Sequence, residues 1–369
     1  MDARGVRDKQ GRMEGWGPRA AGALTALVLL AAPPLTGAAD PAQDGARASP
    51  RLKEAYELAE GGSFERAAAL LDRIVLLRPL DSEAHLLRAF IYRVLLGHFE
   101  RKAYREAFEE SAQTALRLLK GGAANPLPAG ERELRLGFIQ GMLALRRFEE
   151  GLYLQFLGKG RIAWERFQRA LALDPCLADA YLGLGLYHFW RSRAPVVGWV
   201  MSLWGDTAEQ GLRELKRAAE GGGRLQSLAR LELASALFWE KRFEEGRRAL
   251  APLLRARPRH ILYRFALAES YYRAKDWKQS LRRFQALARE LEGRGRSELE
   301  RLYATFARWR VVRSLYRLGR KGEAARLAAE LARVPDLDSK LLKEIRARAA
   351  ELAQEAGLLD APQPAAEAD

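Results

Sequence analysis

The sequence predicts an all-α fold, a right-handed α-solenoid of antiparallel helix pairs. Three observations predict it. Leu, Ala, Arg and Glu dominate while Val, Ile and Thr are sparse, which favours helices over a large sheet. Prolines close apolar helical stretches at Pro79, Pro175 and Pro258, where the missing amide hydrogen and the ring stop a helix. Small and large apolar residues return in the same phase from one unit to the next, with a period of about 34 residues, that of a stacked helix–turn–helix repeat.

The repeat is clearest before Pro175. Gly151 takes the small position of a first helix, and Leu157-Gly158-Lys159-Gly160 is read as the turn. Ala163, Phe167 and Ala170 then take the small, large and small positions of the second helix. The next unit opens at Ala178 with Tyr181, Leu184 and Gly185 in phase. Leu233, Ala234, Leu237, Gly246 and Leu250 precede Pro258, and Leu267, Ala268, Tyr271, Ser280 and Phe284 follow it. An early unit holds Ala55, Ala67, Leu71 and Ile74 before Pro79. A degraded late one holds Val311, Leu315, Gly319 and Ala324. A unit opening near Ser82 keeps Ala89 and Tyr92, with a second helix displaced to about 100–120.

This pattern resembles the tetratricopeptide-repeat (TPR) family over residues 50 to about 335. The resemblance implies a helical scaffold with a concave groove and assigns the residues just named to packing. Within 181–245 an aromatic-rich helix, a Pro-containing apolar insert, Gly211-Leu212 and the run Phe238 to Gly246 resemble the tetratricopeptide-repeat-39 branch, which includes inclusion-body-clearance proteins. The export signal described below departs from that branch, so no cellular role is carried over.

Two interruptions break the period. Gly121 to Pro128 reads as a loop before a long helix from Glu131, in which Gly137 and Gly141 allow close helix contact. Residues 191–205 form an apolar insert containing Trp199, Met201 and Trp204. Asp206 or Thr207 restarts the helix with an acid or amide three residues on, a capping-box pattern. Exposing so much apolar surface is unfavourable. Folding back over the groove, contact with a partner and a peripheral touch on a membrane surface are the roles open to this insert.

The N-terminus reads as an export signal. Arg7, Lys9, Arg12 and Arg19 precede an apolar run over 20–32. Pro33-Pro34 breaks that run, and small residues follow at 36–39. The run is shorter than the roughly 20 residues a membrane span needs. The chain therefore divides into a signal peptide or N-terminal anchor at 1–39, a linker at 40–50 and a solenoid at 51–335. A capping helix at 336–357 and a disordered tail at 358–369 complete it.

The formal net charge is +15. Arg and Glu interleave along the whole chain, which describes a solvated basic surface rather than a nucleic-acid arm. The single cysteine, Cys176, excludes an intrachain disulfide and sits at a turn. His85, His98, His188 and His260 show no metal-ligand spacing. Glu149-Glu150 and Glu244-Glu245 read as solvated turns at the ends of first helices. Gly183-Leu184-Gly185 lies inside a helix with no strand before it, so it is not a dinucleotide loop. No catalytic residue, cofactor or metal site is expected.

Function is expected on the concave surface, which the first helices line. Projecting the repeat gives Leu182, Leu186, Phe189 and Trp190, then Phe238 and Trp239. Phe265, Glu269, Tyr272 and Arg273 follow, and Trp309, Arg313, Tyr316 and Arg317 come last. Aromatics mixed with Arg are the chemistry of protein-binding hot spots, and Arg273, Arg313 and Arg317 suit a carboxylate. The expectation is a non-enzymatic, exported scaffold, periplasmic or in the cell envelope, holding a protein segment. The rival is a membrane-associated assembly protein held by an uncleaved signal anchor and the Trp-rich insert.

Overall fold

The computed structural model describes residues 50–121, 127–193, 206–294, 297–335 and 338–358. Among them lie fifteen α-helices and no strand. They form seven successive pairs: α1 (Pro50–Glu60) with α2 (Phe64–Leu77), α3 (Ser82–Leu96) with α4 (Lys102–Gly121), α5 (Ala129–Glu149) with α6 (Tyr153–Leu173), and α7 (Asp179–Arg193) with α8 (Ala208–Glu220). Then come α9 (Gln226–Trp239) with α10 (Phe243–Ala256), α11 (Ile261–Arg273) with α12 (Trp277–Arg294), and α13 (Glu298–Arg317) with α14 (Lys321–Ala332). A last helix, α15 (Lys340–Glu355), packs on α13 and α14. The signal segment, most of the insert, including Trp199, Met201 and Trp204, and the tail from 359 lie outside the described residues.

Five of the seven pairs are closed by the same three-residue turn. Its middle residue, Gly62, Gly151, Lys241, Lys275 or Gly319, has positive φ. The residue after it donates its amide five positions back: Ser63 to Leu58, Leu152 to Arg147, Arg242 to Leu237, Asp276 to Tyr271 and Arg320 to Leu315, all at 2.8–3.0 Å. This is the hydrogen bond that satisfies a helix's terminal carbonyls when the chain reverses through a left-handed residue. The turn at Gly151 corrects the sequence reading. Residues 157–160 are helical, inside α6, and Gly151 is the reversal point rather than a helix-packing position. Two glycines within a helix do not break it when each costs only about 1 kcal/mol and the long partner α5 supports it.

The first helices form an inner layer. Contacts between them run without a break through α1, α3, α5, α7, α9, α11, α13 and α15. The solenoid is thus continuous across the irregular stretch between Pro79 and Pro175. Small residues set the close approaches. The Phe167 ring of α6 lies between Gly137 of α5 and Gly183 of α7, and a Cβ on Gly137 would fall 2.6 Å from it. Gly185 and Gly211 bring α7 and α8 together, a Cβ on Gly185 meeting Leu215 at 2.8 Å. Gly141, expected to allow close contact, faces open space. Two further details differ from expectation. Asp206, not a Thr207 capping box, accepts the amide of Ala208 at 2.8 Å, while the Thr207 hydroxyl donates to the His188 carbonyl. Glu244 and Glu245 open the second helix α10 rather than end a first helix.

The row of pairs winds far enough for its beginning to meet its end. Glu60 pairs with Arg257, and Glu65 accepts the amide of Leu299 at 2.9 Å. The stretch joining α3 and α4 contacts α13 and its neighbours. Arg101 pairs with Glu298 at 2.7 Å, His98 meets Tyr303, and the Glu100 amide donates to the Asp338 carbonyl at 2.7 Å. The turns of the first two pairs therefore seat on the opposite edge of the later ones.

Candidate functional site

The inner layer places the expected groove residues in two classes. Leu182, Phe189, Phe238, Phe265, Glu269, Trp309 and Arg313 are buried. Leu186, Trp190, Trp239, Tyr272, Arg273, Tyr316 and Arg317 are half-buried. Burial of the first class corrects their reading as residues open to a ligand. Large rings on one first helix reach the next: Phe265 of α11 packs on Tyr303 and Phe306 of α13 with centroids 5.1 and 4.9 Å apart. Of the half-buried set, Trp190 and Trp239 meet edge-on across α7 and α9 at 5.5 Å.

Charged groups gather where α11 meets α13. Glu269 is buried and accepts two hydrogen bonds from Arg310, Nε at 2.8 Å and Nη2 at 2.7 Å. Arg273, one turn further along α11, reaches the same carboxylate at 3.3 Å. The Arg310 guanidinium also covers the Tyr272 ring at 4.0 Å. A paired, hydrogen-bonded geometry of this kind is what a buried charge requires. Arg310 was not among the sequence-predicted residues. It occupies an inner-layer position where the repeat does not prescribe charge, so only its partner Glu269 made it recognisable.

Arg313 lies one turn beyond Arg310 and is only 8% exposed. Among the described residues no carboxylate lies within ion-pair reach of it. Burial holds its guanidinium below the ordinary range; Tyr272 opposes this, while the neighbouring cations Arg310, Arg317 and Arg348 add to it. Its guanidinium sits 5.8 Å from the Trp309 ring, whose buried indole N–H has no acceptor among the described residues. This end of the inner layer thus concentrates donors and positive charge beside two half-buried rings, Tyr272 and Tyr316. Among the described residues its one carboxylate, Glu269, is taken up by Arg310 and Arg273, and neither Arg313 nor the Trp309 indole reaches an acceptor. An anionic oxygen ligand would meet that need.

The histidines have structural partners. His85 contacts the Pro79 carbonyl, His98 bridges Val94 and Tyr303, and His188 pairs with Glu214 at 2.6 Å. His260 stacks on Tyr263 at 3.9 Å. Cys176 is exposed at a turn, where its amide donates to Asp174. Glu149 pairs with the fully buried Arg93 rather than standing free.

No family model and no curated protein matches the sequence. Among solved structures the chain is similar to one titled "Human IFIT1 dimer with PPP-AAAA", at 16% sequence identity and a TM-score of 0.44, covering 83% of this chain and 70% of that one. At that distance the assignment as a TPR-like helical repeat rests on the helix pairs, their common turn and their continuous inner layer.

Proposed function

We propose that the chain is a non-catalytic TPR-like scaffold, exported to the periplasm or cell envelope, that holds an acidic protein segment against the inner face of α11 and α13. The observation that carries this reading is Arg313, a buried cation that has, among the described residues, no carboxylate partner, beside an indole N–H that has no acceptor among them. Leaving the buried Trp309 indole N–H unmatched is unfavourable, and a ligand carboxylate would give it an acceptor and give Arg313 a counterion. Tyr272 and Tyr316 offer rigid aromatic walls for the flanking residues. The three-part N-terminal signal supports export, and the residue pattern over 181–245 supports a place near the tetratricopeptide-repeat-39 branch.

A peptide array tests the reading. Asp- and Glu-rich peptides are compared with their Asn and Gln counterparts, with an oligoribonucleotide as a further probe, on the wild type and on Arg313→Gln. Acidic peptides bound by the wild type and released by the variant are expected. Equal binding of acidic and neutral peptides, or RNA binding that Arg313→Gln does not alter, overturns it.

A further inference from the structure

The pair α5–α6 is built differently from the others. Both helices have 21 residues, and between 145 and 162 no residue is buried. The tip is instead held by its own rings: Phe148 packs on Tyr153 and Phe156, with centroids 5.8 and 5.2 Å apart. The Gly151 turn thus carries a hairpin end outside the core.

The surface of that end is apolar and cationic. Leu154 is 86% exposed, the highest among the exposed large hydrophobics of the described chain, and Leu152 and Ile162 are each 41% exposed. Leu154, Gly158, Arg161 and Ile162 follow at intervals of four, three and one, so they share one helical face. A Cβ on Gly158 would meet nothing within 4 Å, so that face is open. Arg169 continues the face and is exposed. The acids nearby are engaged. Glu149 pairs with Arg93, Glu150 with Arg146 and Arg147, and Glu165 with Arg161. Lys159 and Arg169 have no acidic partner among the described residues.

We infer that this hairpin end docks on an anionic bilayer surface, with Leu152, Leu154 and Ile162 entering the headgroup boundary and Lys159, Arg161 and Arg169 facing lipid phosphates. Exposed aliphatics beside cations, of which Lys159 and Arg169 have no acidic partner among the described residues and Arg161 holds only Glu165 in an exposed ion pair, are the chemistry of interfacial anchoring. A second copy of the chain on the same face would bring these cations together, which disfavours that occupant. No helix among the described residues is long and apolar enough to cross a membrane, so the contact is peripheral. It is independent of the groove and of the N-terminal segment.

The test places an environment-sensitive dye on Leu154→Cys, and on Leu76→Cys as an exposed control, each in full-length protein with Cys176→Ser. Vesicles of phosphatidylcholine with and without phosphatidylglycerol are added. A blue shift at 154 with anionic vesicles alone, none at 76, and reversal by salt are expected. Leu154→Asn with Ile162→Asn should weaken anionic-vesicle binding roughly tenfold without changing the circular-dichroism melt. Co-sedimentation with no shift at 154, equal shifts at both sites, or a shift at 154 on self-association without vesicles overturns the inference.

Discussion

The Tyr303 hydroxyl lies 3.2 Å from Nε2 of His98, a residue 205 positions earlier in the chain. Nδ1 of the same ring donates to the Val94 carbonyl at 2.8 Å. In the neutral ring Nε2 is then left to accept from Tyr303. Burial pushes His98 down to about 4, with Arg93 adding to it. Burial and then Arg257 push His260, at the other contact between early and late pairs, to about 4 as well. Unfolded, both titrate near 6.5. Between those values the unfolded chain binds protons that the folded chain refuses. Stability is therefore full above pH 6.5 and falls as pH drops toward 4, by up to about 3 kcal/mol per histidine. Asp179, pushed up to about 6 by burial, takes up a proton in the folded state and offsets part of this. Urea midpoints against pH should show the fall, and His98→Gln with His260→Gln should flatten it. An unchanged slope in the double variant would remove these histidines as its source.

The Phe167 ring fills the space that Gly183 leaves between α6 and α7. A Cβ at Gly183 would lie well inside van der Waals contact with that ring. Gly183→Ala should cost about 1–3 kcal/mol through overpacking. Phe167→Leu in the Gly183→Ala background should recover part of the loss. Thermal melts of the three variants check this, and additive losses would mean that the two sites do not share the space.

The turn at Lys275 has φ of 61°, against 80° at the equivalent Gly319. A left-handed non-glycine residue costs roughly 1–2 kcal/mol, while glycine adds freedom to the unfolded chain. Lys275→Gly should therefore stabilise by about 0.5–1 kcal/mol, and Gly319→Ala should destabilise by about 1 kcal/mol. Denaturant titration decides it, and a destabilising Lys275→Gly would sink the shared-turn argument.

These turns also mark what the sequence could and could not convey. The helix pairs were legible because their small and large positions repeat, as Ala163, Phe167, Ala170 and Gly185 do. The reversal at Gly151 is not legible locally, because Gly158 and Gly160 are the stronger local turn signals while the support from α5 is tertiary. Lys241 and Lys275 carry no sequence mark of a left-handed backbone. Burial of Phe189, Phe265 and Trp309 depends on how tightly successive first helices stack, and the meeting of His98 with Tyr303 depends on the winding of the whole row. Local periodicity encodes neither. Arg313 was legible as an inward-facing cation, but the absence of its partner needed every neighbour in place.

Glu269 and Arg310 form a buried pair with two good hydrogen bonds. Removing one member strands the other charge, so Glu269→Leu should cost about 3–5 kcal/mol. Replacing both, as Glu269→Leu with Arg310→Met, should cost much less, because neither member of the buried pair is stranded and the half-buried Arg273, which loses its 3.3 Å contact with Glu269, keeps access to water. A double-mutant cycle by urea unfolding checks this. A double variant as unstable as the sum of the singles would show that the pair is not coupled.

Arg313 should behave in the opposite way. It is a buried cation among the cations Arg310, Arg317 and Arg348 and no described carboxylate pairs with it. Its charge therefore costs the fold stability. Arg313→Met keeps most of the side-chain length and removes the charge. It should raise stability by about 1 kcal/mol while abolishing binding of acidic peptides. That combination is the mark of a residue retained for a ligand rather than for the fold. Unfolding midpoints and peptide affinity measured on one preparation decide it. If Arg313→Met destabilises the chain by a similar amount, the guanidinium serves the fold, and the motive for placing an anionic ligand there is lost.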